Sequence, residues 1–561
     1  MTAVRRITTL LLLLTAAALF AQEAPAPRTT EAVTAETDRD AEDPRALRLS
    51  LDEAINTAVK QNLGVQLQTY EYHIAGQGLR SQYGLFDWIA AADVNQSSSQ
   101  SPTTTTFVSS GSRVTSANGS VNQIIPTGGQ YSVGFTNARV SATGGGTFVN
   151  PAYRTGLQFS FAQPLMRDFG VDITRRGITI ARNNLGVTEG FFRTSLMDTV
   201  HAVEQAYLDL LYARRAVDVT KESLFLARDQ ARITQIRIDV GASAPLDILQ
   251  PRVTIATTEE ELIRRVAAVR NEEDRLRALL NLPPSEWDRP IVPSDDVSYE
   301  TTMPIDLDRA VQQAMQNRPE MTQERLRLDN LRVNALYTRN QILPTVDLNL
   351  GYNLGGLAGR TLELDPDTGV PTGRVISTNY GNALSQVFGR DFPSWNAGVS
   401  FGLPVLNIGA RANARAAQLD FEQAQAAQSL TQQNIVVDVR ATARAVDTFS
   451  RAIIATRAAR DAAERNLDAE RKRYENGMTT NFQVLEVQQD LSDARVSELQ
   501  AIVGYNKAVA AFHRAVGDIL AVHNISVDTP EKFEEPPLRP IFGRYDWLNY
   551  GNRVKSEEQP K

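Results

Sequence analysis

The chain has 561 residues, no cysteine, four histidines and a formal net charge of -7. Without cysteine there are no disulfides, thiolate metal sites, iron–sulfur clusters, cysteine nucleophiles or lipidated cysteine anchors. His73, His201, His513 and His523 are too scattered to make a metal or acid–base centre, and an acidic chain is a poor partner for nucleic acid.

Met1–Ala21 has the three parts of a secretory signal: Arg5 and Arg6, the apolar run Ile7–Phe20, and small residues at Ala18 and Ala21. That run is shorter than the ~20 apolar residues a spanning helix needs, and no later segment reaches that length. The mature chain is therefore predicted to leave the cytoplasm without a transmembrane helix. A β-barrel is then its one route into a membrane. Residues 22–47 are acidic and proline-containing and read as a flexible linker, as do residues 525–561 at the other end.

Between these ends the chain is written twice, over residues 48–300 and 301–524. Leu51–Asn62 (LDEAINTAVKQN) is answered by Leu307–Arg318 (LDRAVQQAMQNR), and Gln163-Pro164-Leu165 by Leu403-Pro404-Val405. Arg237 to Gly241, followed by Asp247-Ile248-Leu249, is answered by Arg473 to Gly477, followed by Gln483-Val484-Leu485. Three landmarks in the same order indicate a duplication. Each copy is predicted to run helix, strand-rich region, very long helix, tight turn, helix.

The first helix begins after Ser50, whose side chain and that of Glu53 form a capping box, and is predicted to run to about Gly84. Trp88–Pro164 and Pro344–Pro404 are the strand-rich parts, bounded by prolines and full of Gly, Ser, Thr and Asn. Val171–Asp239 and Ile408–Glu475 contain no proline and end at Gly241 and Gly477, where a left-handed cap is expected. A helix of that length is a rod of roughly 100 Å. It needs a seam. Leu196, Val203, Leu210, Val217, Leu224, Ala231 and Ile238 recur every seventh residue. Phe192, Thr199, Ala206, Ala213, Thr220, Ala227 and Thr234 form a smaller column beside them. Large beside small allows close packing in a coiled coil.

Within the strand regions Leu157, Phe159 and Phe161 alternate with Gln158, Ser160 and Ala162. Val346, Leu348, Leu350, Tyr352 and Leu354 alternate with Asp347, Asn349, Gly351 and Asn353. Ala90, Ala92, Val94 and Ala397, Val399, Phe401, Leu403 continue the pattern. Such alternation fits an outer-membrane barrel or a soluble sandwich wetted on one face, and both readings stay open on this evidence. If the four segments are membrane strands, they are too few to close alone, so several chains must share one barrel.

The paired LDEAINTAVKQN and LDRAVQQAMQN helices, the Gln163-Pro164-Leu165 junction and the two Arg-x-x-x-Gly turns resemble the TolC family of outer-membrane efflux ducts, over about Leu49 to Asp518. The resemblance implies an α+β membrane protein. It would be a homotrimer with a twelve-stranded β-barrel, four strands per chain, in outer-membrane lipid. A coiled-coil barrel of long helices would continue it across the periplasm. Such ducts are not enzymes and need no cofactor. They pass substrates from an inner-membrane transporter through a periplasmic adaptor, in tripartite efflux or type I secretion. The alternative is a periplasmic coiled-coil scaffold.

Carried over residue by residue, the resemblance implies a periplasmic gate. Asp247 falls at an acidic gate position and Tyr474 at the facing tyrosine, so Tyr474 to Asp247 is the expected link. Glu486 falls at a carboxylate lining the mouth. Gln483 stands where the family has a second carboxylate, and Thr479 where it has a basic residue, so a weaker gate is expected. The bland alternative is that Asp247 and Glu486 are solvated first-turn carboxylates. Arg237, Gly241, Ala242, Ser243, Arg473, Gly477 and Met478 are the expected adaptor-docking tips. Three further features carry less weight. Gly144-Gly145-Gly146 lacks the strand-to-helix setting of a phosphate cradle. His201 and Glu204 read as a surface pair. Tyr131, Val133 and Phe135 mark an extra alternating segment, expected as an extracellular or collar hairpin.

Overall fold

A computed structural model of the chain describes residues 44–104, 108–144, 148–296, 304–368 and 370–526. The expected signal, nearly all of the linker before residue 48, Gly145, Gly146 and the C-terminal tail beyond residue 526 lie outside them. The chain forms two compact units. The first holds the described residues up to Gln68, Phe192–Pro319 and those from Gln432 on; the second holds Thr69–Phe191 and Glu320–Thr431. Each unit therefore draws on both halves of the sequence.

In chain order the N-terminal half has β1 (Leu47–Leu49), α1 (Leu51–Gln61), α2 (Leu63–Tyr83), β2 (Ile89–Gln100), β3 (Gly111–Ile124), β4 (Gln130–Thr143) and β5 (Val149–Pro164). A short α3 (Val171–Thr174) leads into α4 (Arg176–Asp239) and α5 (Leu249–Leu280). The C-terminal half has β6 (Ile291–Pro293), α6 (Leu307–Asn317), α7 (Pro319–Asn340), β7 (Thr345–Leu364), β8 (Pro371–Ser377), α8 (Tyr380–Gly389) and β9 (Phe392–Gly402). It ends with α9 (Ile408–Glu475), α10 (Asn481–Val516) and α11 (Ile519–Val522).

The helix after Ser50 is capped as expected, with Ser50 Oγ accepting from Glu53 N–H and Glu53 Oε2 accepting from Ser50 N–H. It does not run on to Gly84. Asn62 is extended, and its side-chain oxygen accepts from the N–H groups of Gly64 and Val65, so it closes α1 and caps α2. The second copy breaks at the equivalent place by other chemistry. Arg318 precedes Pro319, which excludes it from the helical region and then starts α7.

In the first unit the seam of α4 is buried. Phe192, Thr199, Ala206, Ala213, Thr220, Ala227 and Thr234 are all buried, as are Leu196, Val203, Leu210, Val217 and Leu224 of the larger column. Phe192, Ala206, Ala213 and the larger column up to Leu224 pack with Leu262, Val266, Val269, Leu276 and Leu280 of α5 and with Ala54, Ile55 and Ala58 of α1 in one apolar core. β1 pairs in parallel with β6 at the edge of this core, an element the sequence reading lacked. A buried carboxylate closes the arrangement. Glu273 of α5, with no exposed side-chain surface, lies 2.8 Å from Arg214 and 3.1 Å from Arg270 and Arg277, and accepts the Ile291 N–H. Nearby, Asp295 accepts from the Tyr207 hydroxyl at 2.7 Å and from Leu51 N–H at 2.8 Å. Burial, then the Asp295 carboxylate, push the Tyr207 phenol well above its ordinary range. His201 and Glu204 are not a surface pair. Glu204 stands 3.5 Å from His523, and burial lowers the His201 pKa.

The second unit holds one antiparallel sheet in the order β2-β3-β4-β5-β7-β9, with β8 pairing only the far end of β7. This corrects the expected four strands per chain. The segment around Tyr131, Val133 and Phe135 is β4, and with β3 it is built into the sheet between β2 and β5. Alternation had identified its faces; its neighbours are a non-local choice.

Candidate functional site

The site is built from the two turns that join the long helices to their return helices, all within the first unit. At the end of α4, Gly241 has φ of 73° and donates to Ile238 O, while Ala242 N–H donates to Arg237 O. At the end of α9, Gly477 has φ of 72° and donates to Tyr474 O, while Met478 N–H donates to Arg473 O. Both are Schellman closures, in which a left-handed residue turns the chain and satisfies the last helical carbonyls. An added Cβ would meet nothing within 4 Å at either glycine, so the sign of φ, not crowding, calls for glycine.

The following segments differ. After Gly241, Pro245–Ile248 form a single helical turn whose first free N–H, that of Ala244, is capped by Asp247 Oδ2 at 3.0 Å. After Gly477, Thr480 caps α10 by accepting from Gln483 N–H. Gln483 in turn donates to Glu486 at 3.1 Å, and both side chains are exposed on the first turn and a half of α10. Thr479 is half-buried beside them.

One side chain joins the two turns. Arg237 of α4 donates to the backbone oxygen of Tyr474 at 2.8 Å, and its guanidinium lies 4.5 Å above the Tyr474 ring. The contact sets a cation at the C-terminus of α9, where the helix dipole favours it, and over an aromatic face. A second link runs through Asn481, which accepts from Gln230 at 2.6 Å and donates to Asp247 O at 3.4 Å. Within this chain, Tyr474 is therefore buried against Arg237, and the Asp247 carboxylate is occupied by its own turn. The expected side-chain link between Tyr474 and Asp247 is not among these contacts.

Gln230 and Asn481 were missed because a polar pair facing across two helices leaves no local signature. Arg237, expected to meet an outside partner, is half-buried and turned inward. Arg473, also expected at the tip surface, is exposed and paired with Glu470 at 3.2 Å. Gly241, Ala242 and Gly477 are exposed and Ser243 partly so. Around them stand apolar side chains facing outward: Val240 at 73%, Leu246 at 75%, Phe482 at 57% and Met478 at 76% exposure. Exposed apolar side chains gathered at one end of a helical unit mark an interaction surface.

The family model described as outer membrane efflux protein matches residues 130–282 and 310–518, more than half of the chain. The chain belongs to that family. Both tips, the long helices and most of the sheet fall inside the match, and its place is accordingly the outer membrane, reaching into the periplasm. Toxin and drug export protein A of Aggregatibacter actinomycetemcomitans is 24% identical over 164 residues, 28% of this chain and only about a third (34%) of that relative. Outer membrane protein TolC of Vibrio cholerae is 22% identical over 327 residues, 56% of this chain and 67% of its own. Among solved structures, the Campylobacter jejuni CmeC outer membrane channel superposes with a TM-score of 0.59 at 17% identity, covering 89% of this chain and 90% of that one. The fold is thus that of the TolC-like channels, and family and fold are those of channel proteins, not enzymes.

Proposed function

We propose that this efflux-family chain acts as the passive outer-membrane duct of a tripartite export system. In this reading three copies assemble, the sheets form the membrane wall and the helical units form the conduit. The paired tips receive a periplasmic adaptor, which links the duct to an inner-membrane transporter. The observation that carries it is the joined pair of turns, ringed by outward apolar side chains, in a chain of this family. The name of one relative, toxin and drug export protein A, agrees with it. Gly241, Ala242, Ser243, Gly477 and Met478 would meet the adaptor, while Arg237 would hold the two turns in a common frame and Arg473 would flank them. Glu486 and Gln483 would line the mouth, with Thr479 and Asp247 beside them. Tyr474 would release its hold on Arg237 when the tip opens.

The test is export itself. Cells lacking the chain should lose efflux of the cargo of its cognate pump. The wild-type chain should restore it. A Met478→Glu, Leu246→Glu double variant should reach the outer membrane as a heat-sensitive oligomer yet fail to restore export or to cross-link to the adaptor. Full export by that variant would refute tip docking. A chain soluble without detergent would refute the duct and favour the scaffold.

A further inference from the structure

Hairpin β3–β4 crosses the same width of sheet as its neighbours, and the antiparallel register lines up residues in rows across all six strands. One row reads Ala90, Val121, Val133, Phe159, Tyr352 and Trp395. The next on that face reads Ala92, Gly119, Phe135, Leu157, Leu354 and Pro393. On the opposite face the rows are Ile89, Asn122, Ser132, Ser160, Gly351, Asn396 and Ala91, Ser120, Gly134, Gln158, Asn353, Ser394. One face is apolar and aromatic, the other mostly small and polar. A slip of one residue would put Val133 and Phe135 on the wrong face, so the inserted hairpin is in phase with the rest of the wall. At 14 residues each, β3 and β4 exceed the 9–11 that a spanning strand requires.

Among the described residues the long strands of the sheet end at two edges, β2 and β9, with the short β8 lying beyond β9 on the far end of β7. β2 is exposed along all 12 residues, and β9 along all but the last of its 11. Unpaired backbone at such edges costs several kcal/mol per group in lipid. The two edges match in length, and six alternating strands leave the first and last antiparallel to each other. β9 of one copy can therefore extend the same ladder onto β2 of the next, and a ring of copies leaves no edge.

We propose that each chain contributes six wall strands, so that a trimer encloses eighteen strands instead of twelve. The trimer rests on the functional reading above; the six strands do not. Barrel diameter grows roughly linearly with strand number, so such an exit is about one and a half times as wide as a twelve-stranded one, in the range of porins with open aqueous channels. Two of its lining rows carry Asn, Ser, Gln and Gly, and the same face carries Asp93, Arg154 and Asp347. The exit is thus suited to bulky hydrated solutes.

The absence of cysteine makes the test direct. Full-length chain in lipid nanodiscs would carry Ala91→Cys with Ser120→Cys, or Gly134→Cys with Gln158→Cys, and be oxidised. Both pairs should cross-link within one chain, while Ala91→Cys with Gln158→Cys should not. Linkage of that last pair instead of the first two, which requires β2 to lie directly on β5, overturns the proposal. A fluorophore on Val133→Cys should be quenched several-fold by bromine-labelled lipid chains, as one on Phe159→Cys should be, and one on Ser132→Cys should not. Quenching at Phe159→Cys without quenching at Val133→Cys also overturns it. Native mass spectrometry then counts copies. Three copies with the expected cross-links support eighteen strands. Any other number refutes the trimeric reading and the eighteen, and leaves six strands per chain standing.

Discussion

The helical unit and the sheet settle their polar groups in opposite ways. In the helical unit two buried carboxylates find their counter-charges within one chain: Glu273 is surrounded by Arg214, Arg270 and Arg277, and Glu498 by Arg457 and Arg460 at 3.2 and 2.7 Å. In the sheet every interior strand is paired, yet β2 and β9 present bare edges, and Trp395, Val399 and Phe401 are 76, 64 and 68% exposed. The difference teaches where each part finds its solvent. The helical unit closes an apolar core of its own yet keeps apolar side chains exposed at its tips. The sheet has its faces but leaves the long edges of β2 and β9 unpaired within the chain.

The contrast can be broken most severely at Glu273. Glu273→Gln removes the buried carboxylate shared by Arg214, Arg270 and Arg277, and should cost about 3–5 kcal/mol. Denaturant unfolding of the helical signal should shift strongly while pairing of the sheet is unchanged. Next comes the face assignment of the sheet. Phe159→Arg should destabilise the assembled oligomer by about 2–4 kcal/mol if that face meets lipid, whereas Ser160→Arg, one residue on, should be tolerated. Equal effects would erase the proposed two-faced wall.

Smaller effects sharpen the helical side. Gly477→Ala forces a left-handed alanine at the closure of α9 and should cost about 1–2 kcal/mol, seen as faster proteolysis at the tip, with the core melting unchanged. The smallest effect is set by pH. His523 lies 3.5 Å from Glu204 and 3.6 Å from Asp52, and these carboxylates, Glu204 first, raise its pKa. Because the folded value is above the unfolded one, the contribution is full below pH 6.5 and fades as pH climbs through the raised value. Wild type should therefore exceed His523→Gln in stability at pH 6, and the gap should narrow toward pH 8. A gap that widens with pH would reverse the assignment.

Much of the helical unit was legible because its rules are local. A column repeating every seven residues sets which side of α4 is buried, and a glycine after a proline-free run sets where a helix can close left-handed. α9 accordingly begins and ends at the predicted Ile408 and Glu475. The break at Asn62 was passed over because the cue, a side chain capping its own successor helix, is weaker than Pro or Gly. Around the tips, the turn glycines were readable, whereas Arg237 on Tyr474 and Gln230 on Asn481 join residues more than 230 positions apart, which no spacing encodes.

The sequence alone determined periodicities: which residues share a helix stripe or a strand face, where helices stop, and that one pattern occurs twice. Only the tertiary structure decided adjacency, because alternation orients a strand without naming its partner. That is why β3 and β4 enter the sheet between β2 and β5, and why Tyr474 meets an arginine where an aspartate was expected.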